Sequence, residues 1–385
     1  MKNRPLIKLL ISVSSAALMI CFALILLSPS FTTSPLPEPP PEPVVITPSP
    51  APSPKPTPTP TPEPSPTPEP EPTPEFFTLT MIGDITPSAT LNNKGISAAY
   101  GNVVGEDYAY PFSETLEYFK NSDFTIANFE CVLTEHDIPQ SKNFVFKAPP
   151  KYVYILTEGG VDFVTLGNNH VLDYGERGYA DTKKILDIAG IGYAGRDEWA
   201  LYETENGLLI GVYALSFGYT EQIKAGITAL KEAGAEFIIA AIHWGDEGSY
   251  KANDLQRTQG RAAVDAGADI VYGTHPHTLQ PIEEYNGKYI YYSMGNWSFG
   301  GNTNPRDKDT FILRLTVMRD IDGTISITDR EHIPCASSGD KNRNDYRPVV
   351  YEEGSEEWLR TLSKLDGTYG GSDLFISYEY DFSEF

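Results

Sequence analysis

The sequence predicts an α/β sandwich with a mixed sheet. From Phe76 onward, short apolar segments alternate with longer segments of helical periodicity, which is typical of parallel strands joined by helices. Beyond residue 280 the apolar segments follow one another at short spacing, as the strands of antiparallel hairpins do. Parallel strands followed by hairpins indicate a mixed sheet rather than an all-parallel one.

The individual elements follow from local pattern. The predicted strands are short runs rich in β-branched and aromatic residues, at 77–82, 124–128, 163–166, 208–215, 237–242 and 270–272. The predicted helices repeat apolar residues at intervals of three and four, at 113–120, 150–158, 176–189, 220–233 and 254–266. The later segments have the spacing of hairpins, at 282–285, 288–293, 310–318 and 324–328.

A proline-rich segment precedes the folded region. Twenty of the 32 prolines lie between Pro35 and Pro74. Because proline lacks a backbone N–H and fixes φ, we expect residues 29–75 to be a disordered, extended spacer of the polyproline II type. At ~3.1 Å per residue, about forty residues would reach roughly 120 Å. We expect the domain itself at 76–335, with an acidic C-terminal extension at 336–385.

The N-terminus predicts a membrane anchor. Residues 1–8 form a basic tail, and residues 9–28 contain no charged side chain. Twenty helical residues span about 30 Å, the thickness of the hydrocarbon core of a bilayer. The basic flank places the N-terminus in the cytoplasm, so the predicted location is the cell membrane, with a single transmembrane helix and the domain outside. A cleaved signal peptide and a lipoprotein site at Cys21 are the alternatives.

The charge of the chain restricts its partners. The protein carries 29 basic and 52 acidic side chains, a net charge of −23. Residues 1–74 contribute only −1, so the folded region carries −22. Such a region repels a phosphate backbone, which argues against general nucleic-acid binding. The same repulsion disfavours unaided binding of any polyanion.

The three cysteines do not form a disulfide scaffold. Cys21 lies in the apolar N-terminal run, which leaves Cys131 and Cys335 far apart in sequence. Two buried free thiols are favoured over a bridge between them.

Polar residues follow five of the predicted strands directly. Alone, a strand-end aspartate is more often a helix cap, and a lone histidine is more often structural. Here, however, four of the six histidines lie at strand ends, and only His136 and His332 lie elsewhere. Because the carboxyl ends of strands border the ligand crevice in open α/β sheets, we expect these side chains to converge. Carboxylate, amide and imidazole groups without thiolates suit Mn, Fe or Zn, so the sequence predicts a divalent metal site.

These strand-end residues resemble the motifs of the CapA, or PgsA-like, family of poly-γ-glutamate capsule biosynthesis proteins. The matching motifs are Gly83-Asp84, Asn128-Phe129-Glu130, Asn168-Asn169-His170, Asp173-Tyr174-Gly175, His243-Trp244-Gly245, Gly267-Ala268-Asp269-Ile270-Val271, Gly273-Thr274-His275-Pro276-His277 and Tyr292-Ser293-Met294-Gly295-Asn296-Trp297. The resemblance covers about residues 79–299. That family in turn looks like the calcineurin-like metallophosphoesterases, which implies a four-layer α/β/β/α sandwich with a two-metal site at the strand ends.

The resemblance also implies roles for single residues. The implied metal ligands are Asp84, Glu130, Asn169, His243, His275 and His277. His170 would be the proton donor, and Asp173 would either orient His170 or cap the following helix. Asn296 and Trp244 are candidate substrate contacts, although a position in the crevice wall or the core is the favoured interpretation for Trp244.

Two departures from the phosphoesterase pattern bear on the number of ions. Ile85-Thr86 follows Asp84 where the phosphoesterases have Asp-x-His, and Glu130 stands where they have aspartate. One ligand of a two-ion clamp is therefore missing, and the sequence leaves one or two ions open.

Two functions follow from these observations. The resemblance implies poly-γ-glutamate capsule synthesis or export, with a membrane synthase complex and the anionic polymer as partners. The alternative is a metal-dependent phosphoesterase or polymer hydrolase unrelated to the capsule. Whether the protein is an enzyme stays open at this point, because a metal held for polymer binding would need the same ligands.

Overall fold

The computed structural model describes residues 72–91 and 99–374. The predicted cytoplasmic tail (1–8), the anchor (9–28) and all but the last residues of the spacer (29–75) lie outside the described residues. Within the two described ranges, no helix is long and apolar enough to cross a bilayer.

The described part of the chain forms strands and helices in alternation. Its strands are β1 (Glu75–Thr86), β2 (Phe124–Phe129), β3 (Val132–Leu133), β4 (Lys147–Ala148), β5 (Phe163–Thr165), β6 (Gly192–Ala194), β7 (Glu198–Glu203), β8 (Leu209–Ser216), β9 (Phe237–His243), β10 (Ile270–Thr274), β11 (Ile282–Tyr285), β12 (Lys288–Tyr291), β13 (Asn296–Phe299), β14 (Asp309–Arg319), β15 (Ile325–Ala336) and β16 (Val349–Val350). Its α-helices are α1 (Tyr100–Val104), α2 (Tyr154–Glu158), α3 (Gly175–Ala189), α4 (Thr220–Glu232), α5 (Asp254–Ala266) and α6 (Glu356–Leu365).

Two mixed sheets contain most of these strands. The first has the order β16-β15-β14-β1-β2-β5-β6, and β13 also pairs with β1. Its strands β1, β2, β5 and β6 are parallel, whereas β14, β15 and β16 pair antiparallel. The second has the order β11-β12-β10-β9-β8-β7, with the four central strands parallel and an antiparallel strand at each edge. The predicted α/β class with a mixed sheet is confirmed.

Alternating side chains of the strands form separate apolar clusters on the two faces of each sheet. Leu79 and Met81 of β1 are fully buried together with Ile210 and Val212 of β8, so the two sheets pack face to face. On the outer face of the first sheet, residues of α2 and α3 cover β5 and β14. On the outer face of the second sheet, α4 and α5 cover β9. The layers therefore run helix, sheet, sheet, helix.

Helix α5 shows how local sequence sets an element boundary. The side chain of Asn253 accepts a hydrogen bond from Gln256 N, and the Gln256 side chain accepts one from Asn253 N, both at 2.9 Å. This reciprocal cap begins the helix, and Gly267 with φ +114° ends it. The predicted bounds of 254–266 are those observed.

One helix prediction fails in a region where side-chain hydroxyl groups form hydrogen bonds to backbone carbonyl oxygens. The predicted helix at 113–120 is wrong: this region forms 3₁₀ turns at Tyr110–Phe112 and Leu116–Tyr118. The hydroxyl groups of Ser113 and Thr115 donate to the carbonyl oxygens of Tyr110 and Phe112, which favours turns over a continuous helix.

Other segments differ in length or form from the prediction. The predicted helix at 150–158 is a 3₁₀ turn at Pro150–Val153 that continues as α2. The predicted strand at 324–328 extends as β15 to Ala336. Cys131 and Cys335 are buried free thiols, which confirms the favoured alternative for this pair.

Candidate metal centre

Polar residues at the carboxyl ends of the strands meet at one edge of the molecule. In the first sheet, Asp84 of β1 lies opposite Asn128 of β2 in parallel register. In the second sheet, His243 of β9 lies opposite Thr274 of β10. The edges of the two sheets adjoin, because Nε2 of His243 lies 3.4 Å from Oε1 of Glu130. The predicted convergence of strand ends is therefore present.

The two carboxylates at this edge are fully buried. Asn128 Nδ2 donates a hydrogen bond of 2.8 Å to Oδ1 of Asp84. Oδ2 of Asp84 and both carboxylate oxygens of Glu130 accept no hydrogen bond from any residue in the described ranges. Burying an unpaired anionic oxygen costs several kcal/mol, roughly, unless a cation lies beside it. The carboxylates therefore fit a bound cation.

Histidine nitrogens lie beside these oxygens. Nε2 of His243 is 2.9 Å from Oδ1 of Asn169, in addition to its contact with Glu130. Nδ1 of His277 is 3.2 Å from Oδ2 of Asp84. The structure thus brings the predicted ligands of both sheets into contact through their polar atoms.

Two groups of ligand atoms share one carboxylate. One group consists of Glu130, His243 and His275, and the other consists of Asp84, Glu130 and His277. In each group, one ligand atom from each residue lies within 4.8 Å of the ligand atoms of the other two. Nδ1 of His275 is also buried without a hydrogen-bond partner among the described residues. Oxygen and imidazole donors of this kind suit a divalent cation, and the sharing of Glu130 allows two adjacent ions.

The pKa values show a charge imbalance in the cluster. Burial raises the pKa of Asp84, and the charge of Glu130 adds to the effect. Burial opposes ionisation of Glu130 as well, but the imidazoles of His277 and His243 together lower its pKa. For His277 the carboxylates outweigh burial and raise the pKa to about 10, whereas burial and the neighbouring histidines lower the pKa of His275 to about 2. Positive charge is therefore stabilised beside Asp84 and Glu130.

The His275-Pro276-His277 turn has a strained backbone. His275 has φ +99° and His277 has φ +57°, a region that L-residues other than glycine rarely adopt. Such conformations cost about 1–3 kcal/mol each and persist only where the surroundings enforce them. Here the amide of Gly248 donates a 2.8 Å hydrogen bond to the Pro276 carbonyl. Both histidines of this turn belong to candidate ligand groups, so one short segment supplies two imidazoles to the centre.

The candidate proton donor His170 has a defined orientation. Its Nδ1–H donates to Oδ2 of Asp173 at 2.6 Å, which leaves Nε2 free to face the site. Asp173 also accepts hydrogen bonds from the Phe146 amide at 2.7 Å and from Nζ of Lys142 at 2.6 Å. Helix α3 has Tyr174 at its N-cap without a side-chain cap. Of the two alternatives for Asp173, its contacts favour orientation of His170.

The two predicted substrate contacts have different surroundings. Oδ1 of Asn296 lies 2.9 Å from Nδ1 of His277, at the border of a cavity, so this residue adjoins the site. Trp244 is only 2 % exposed and packs in the core outside the second sheet. Its indole N–H donates to the Tyr292 carbonyl at 2.9 Å. The burial of Trp244 favours the core alternative over a substrate role.

Four further residues contact the cluster and were missed from sequence: Asn128, Lys142, Glu247 and Thr274. Asn128 and Thr274 belong to strand-end motifs, so their position alone could have indicated them. Lys142 and Glu247 lie in loops, where no periodicity indicates what a side chain contacts.

Two cavities border the site. One has a volume of about 310 Å³ and is lined by His170, His277 and Asn296 together with aromatic side chains that include Phe146 and Phe299. The other has a volume of about 460 Å³. Its lining includes Asn168, Asn169, Phe217 and Tyr219. Residues of the candidate metal centre thus adjoin both openings.

Sequence comparisons identify relatives that share most of the chain. A capsule biosynthesis protein CapA from Bacillus anthracis is 31% identical over 334 residues, which are 76% of this chain and 77% of the relative. A PGA biosynthesis protein CapA from Bacillus subtilis is 31% identical over 253 residues, which are 58% of this chain and 65% of the relative.

Among solved structures, the NAD nucleotidase of Haemophilus influenzae aligns with 77% of this chain and 56% of its own, at 13% identity and a TM-score of 0.37. A likeness of this degree supports no inference about activity. The family model described as "Bacterial capsule synthesis protein PGA_cap", in contrast, matches residues 78–300, more than half of the chain. On this match and the Bacillus relatives, the chain belongs to the PGA_cap family of bacterial capsule synthesis proteins.

Proposed function

We propose that this protein takes part in the synthesis or export of a poly-γ-glutamate capsule and carries a metal-dependent site of the hydrolase type. The observation that carries the proposal is the cluster of buried carboxylate oxygens of Asp84 and Glu130, which accept no hydrogen bond within the described residues apart from the one from Asn128 and which lie beside three histidines. The capsule part is supported by family membership and by the names of the two Bacillus relatives.

The chemistry of the site follows from its donors. Asp84, Glu130, Asn169, His243, His275 and His277 would hold one or two divalent cations of the Mn, Fe or Zn class. A cation bound there acts as a Lewis acid on a carbonyl or phosphoryl oxygen.

His170 would supply the proton for the leaving group. Since its Nδ1–H is donated to Asp173, a protonated ring carries its second proton on Nε2, and the ring borders the 310 Å³ cavity. The hydrogen bond to Asp173 fixes the tautomer and the plane of the ring. Lys142 in turn donates a hydrogen bond to Asp173. Lys142, Asp173 and His170 therefore form one chain of hydrogen bonds that positions the proton on the His170 ring.

The cavities support a polymer as the substrate. Residues of the centre adjoin one cavity through His170 and His277, and the other through Asn169. A chain substrate needs room on both sides of the reacting bond, whereas a small ester needs only one opening. The exposed aromatic rings of Phe217 and Tyr219 offer apolar contact to such a chain.

For the location, we propose that residues 9–28 anchor the domain at the outer face of the cell membrane, beside a synthase complex. Support comes from the uncharged stretch and its basic flank. External protease on intact cells should remove the domain and leave a short membrane stub. Recovery in the medium of a domain that lacks about its first thirty residues would instead establish a cleaved signal peptide.

A hydrolase unrelated to the capsule is the second candidate, and the ordered His170–Asp173 pair favours it. The two candidates are separated by measuring capsule output in cells and turnover of γ-glutamyl oligomers and phosphodiesters by the purified full-length chain. Loss of capsule output with His243→Ala supports the capsule role. Normal output together with loss of phosphodiester turnover would replace it with the second candidate.

A further inference from the structure

The loop after β9 is fixed against the histidine turn. The Gly248 amide donates to the Pro276 carbonyl at 2.8 Å, and the Thr278 hydroxyl donates to the Ser249 carbonyl at 2.9 Å. These bonds tie both ends of the Gly248-Ser249 segment to the residues that follow His275. Glu247 immediately precedes this segment, so its backbone position relative to the turn is defined.

The side chain of Glu247 faces the metal centre. A carboxylate oxygen of Glu247 and one nitrogen each of His275 and His277 lie within 4.8 Å of one another. Two atoms bound to one ion at about 2.2 Å are at most roughly 4.4 Å apart, so small side-chain rotations suffice for a common ion. Glu247 is half-buried and borders the 310 Å³ cavity, through which an ion can enter.

The carboxylate of Glu247 is not engaged elsewhere. Across residues 72–91 and 99–374, it forms no hydrogen bond or ion pair that would hold it away from the two histidines. Its neighbour Asp246 differs, because that side chain is exposed and Oδ2 accepts a 3.0 Å hydrogen bond from Asn253 Nδ2. Glu247 therefore has both the position and the free donor atoms of a ligand.

The ligand set on the side of His277 is otherwise small. Without Glu247, the group that contains His277 consists of Asp84, Glu130 and His277. We infer that Glu247 is a further metal ligand of this centre and adds a carboxylate oxygen to the nitrogens of His275 and His277. The inference rests on the proposed metal site. An added carboxylate beside the two imidazoles shifts the preference of the ion position from Zn²⁺ toward harder cations such as Mn²⁺.

Mn²⁺ binding to the full-length chain tests the inference directly. Equilibrium dialysis followed by elemental analysis should show that Glu247→Gln binds Mn²⁺ at least about tenfold more weakly than wild type, or loses one equivalent. Asp246→Asn is the matched control and should bind like wild type. The rise in melting temperature on adding Mn²⁺ should shrink for the Gln variant only.

The possible outcomes distinguish the role of Glu247 from the existence of the metal centre. Wild-type affinity and stoichiometry in Glu247→Gln would overturn the role of Glu247 while leaving the metal centre intact. Wild-type protein that binds no divalent metal would refute the centre itself. Should the Gln variant not fold, Glu247→Asp is the second variant, because it keeps the charge but shortens the side chain by one methylene. This variant must show the same weakening of Mn²⁺ binding. Undiminished Mn²⁺ binding by Glu247→Asp also overturns the inference.

Discussion

Replacement of Asp173 by asparagine tests the proton-donor assembly most sharply. The buried carboxylate accepts three hydrogen bonds, from His170 Nδ1, the Phe146 amide and Lys142 Nζ. An asparagine side chain is nearly the same size but has one acceptor oxygen and one NH₂ donor. At least one of the three donors must then face another donor.

The expected loss of stability follows from this count. A buried donor without an acceptor costs about 1–3 kcal/mol, and a hydrogen bond to a charged group contributes about 1.5–3 kcal/mol. Because the Lys142 side chain is 37% exposed, its ion pair is discounted for solvent screening. We therefore expect Asp173→Asn to lower the free energy of unfolding by about 2–5 kcal/mol.

Catalysis should suffer separately from stability. Phe146 and His170 bond Oδ2 of Asp173, whereas Lys142 bonds Oδ1. An asparagine whose oxygen faces Lys142 turns its NH₂ group toward His170 and no longer fixes the ring, and one whose oxygen faces His170 keeps that bond but lacks the carboxylate charge. In either orientation, turnover should fall by up to the roughly 10²–10⁴-fold contribution of a general acid. Metal content should stay unchanged, since Asp173 belongs to neither group of candidate ligands that share Glu130.

Urea unfolding, elemental analysis and turnover of the full-length chain check these expectations together. Asp187→Asn, at an exposed position on α3, is the control and should change stability by less than about 0.5 kcal/mol. The assignment of Asp173 to His170 would be refuted by a variant with wild-type stability and undiminished turnover.

Three other predictions concern the histidines. Purified wild-type protein should carry one or two equivalents of divalent metal, and His243→Ala and His275→Ala should each reduce this content. Both variants should also reduce the gain in stability on metal binding, which is about 2.7 kcal/mol when the free metal concentration is 100 times Kd. His170→Asn should retain metal but lose turnover by roughly 10²–10⁴-fold; equal turnover would show that His170 is structural. Without metal, stability should fall as pH rises from about 6.5 to about 10, because the pKa of His277 is raised to about 10 in the folded state. Protonation of His277 thus favours the folded form most fully below pH 6.5, and urea unfolding in EDTA should lose this slope in His277→Gln.

The sequence was sufficient for elements that a single strong pattern specifies. The longer parallel strands were predictable because buried strands need continuous apolar runs, and α5 because its cap residues and its glycine stop lie at its ends. The short parallel strands β6 and β13 were not predicted, since three or four residues rarely establish a pattern. The helix at 113–120 was not predictable in the same way, since its apolar spacing permits a helix while Ser113 and Thr115 favour turns. The spacing of apolar residues alone does not decide between a helix and successive turns.

The site shows the same division. Strand ends could be predicted to converge because all parallel strands of a sheet end at one edge. Trp244 was a candidate substrate contact because it adjoins His243, although consecutive residues of an extended chain point to opposite faces and Trp244 is buried in the core. Lys142 and Glu247 reach the centre from loops, and their approach depends on contacts between residues far apart in sequence.

Charge connects the metal centre with the proposed handling of an anionic chain. At physiological ionic strength, charges beyond about 8 Å are largely screened, so the overall acidity of the protein matters less than the groups at the cavity. Glu247 borders the 310 Å³ cavity, and together with the buried carboxyl groups of Asp84 and Glu130 it raises the pKa of His277, so these groups already stabilise positive charge. One or two divalent cations would offset these carboxylates more fully than a single proton on His277. Binding of an anionic polymer should therefore depend on bound metal even where no bond is cleaved, and this dependence would link metal affinity to capsule output.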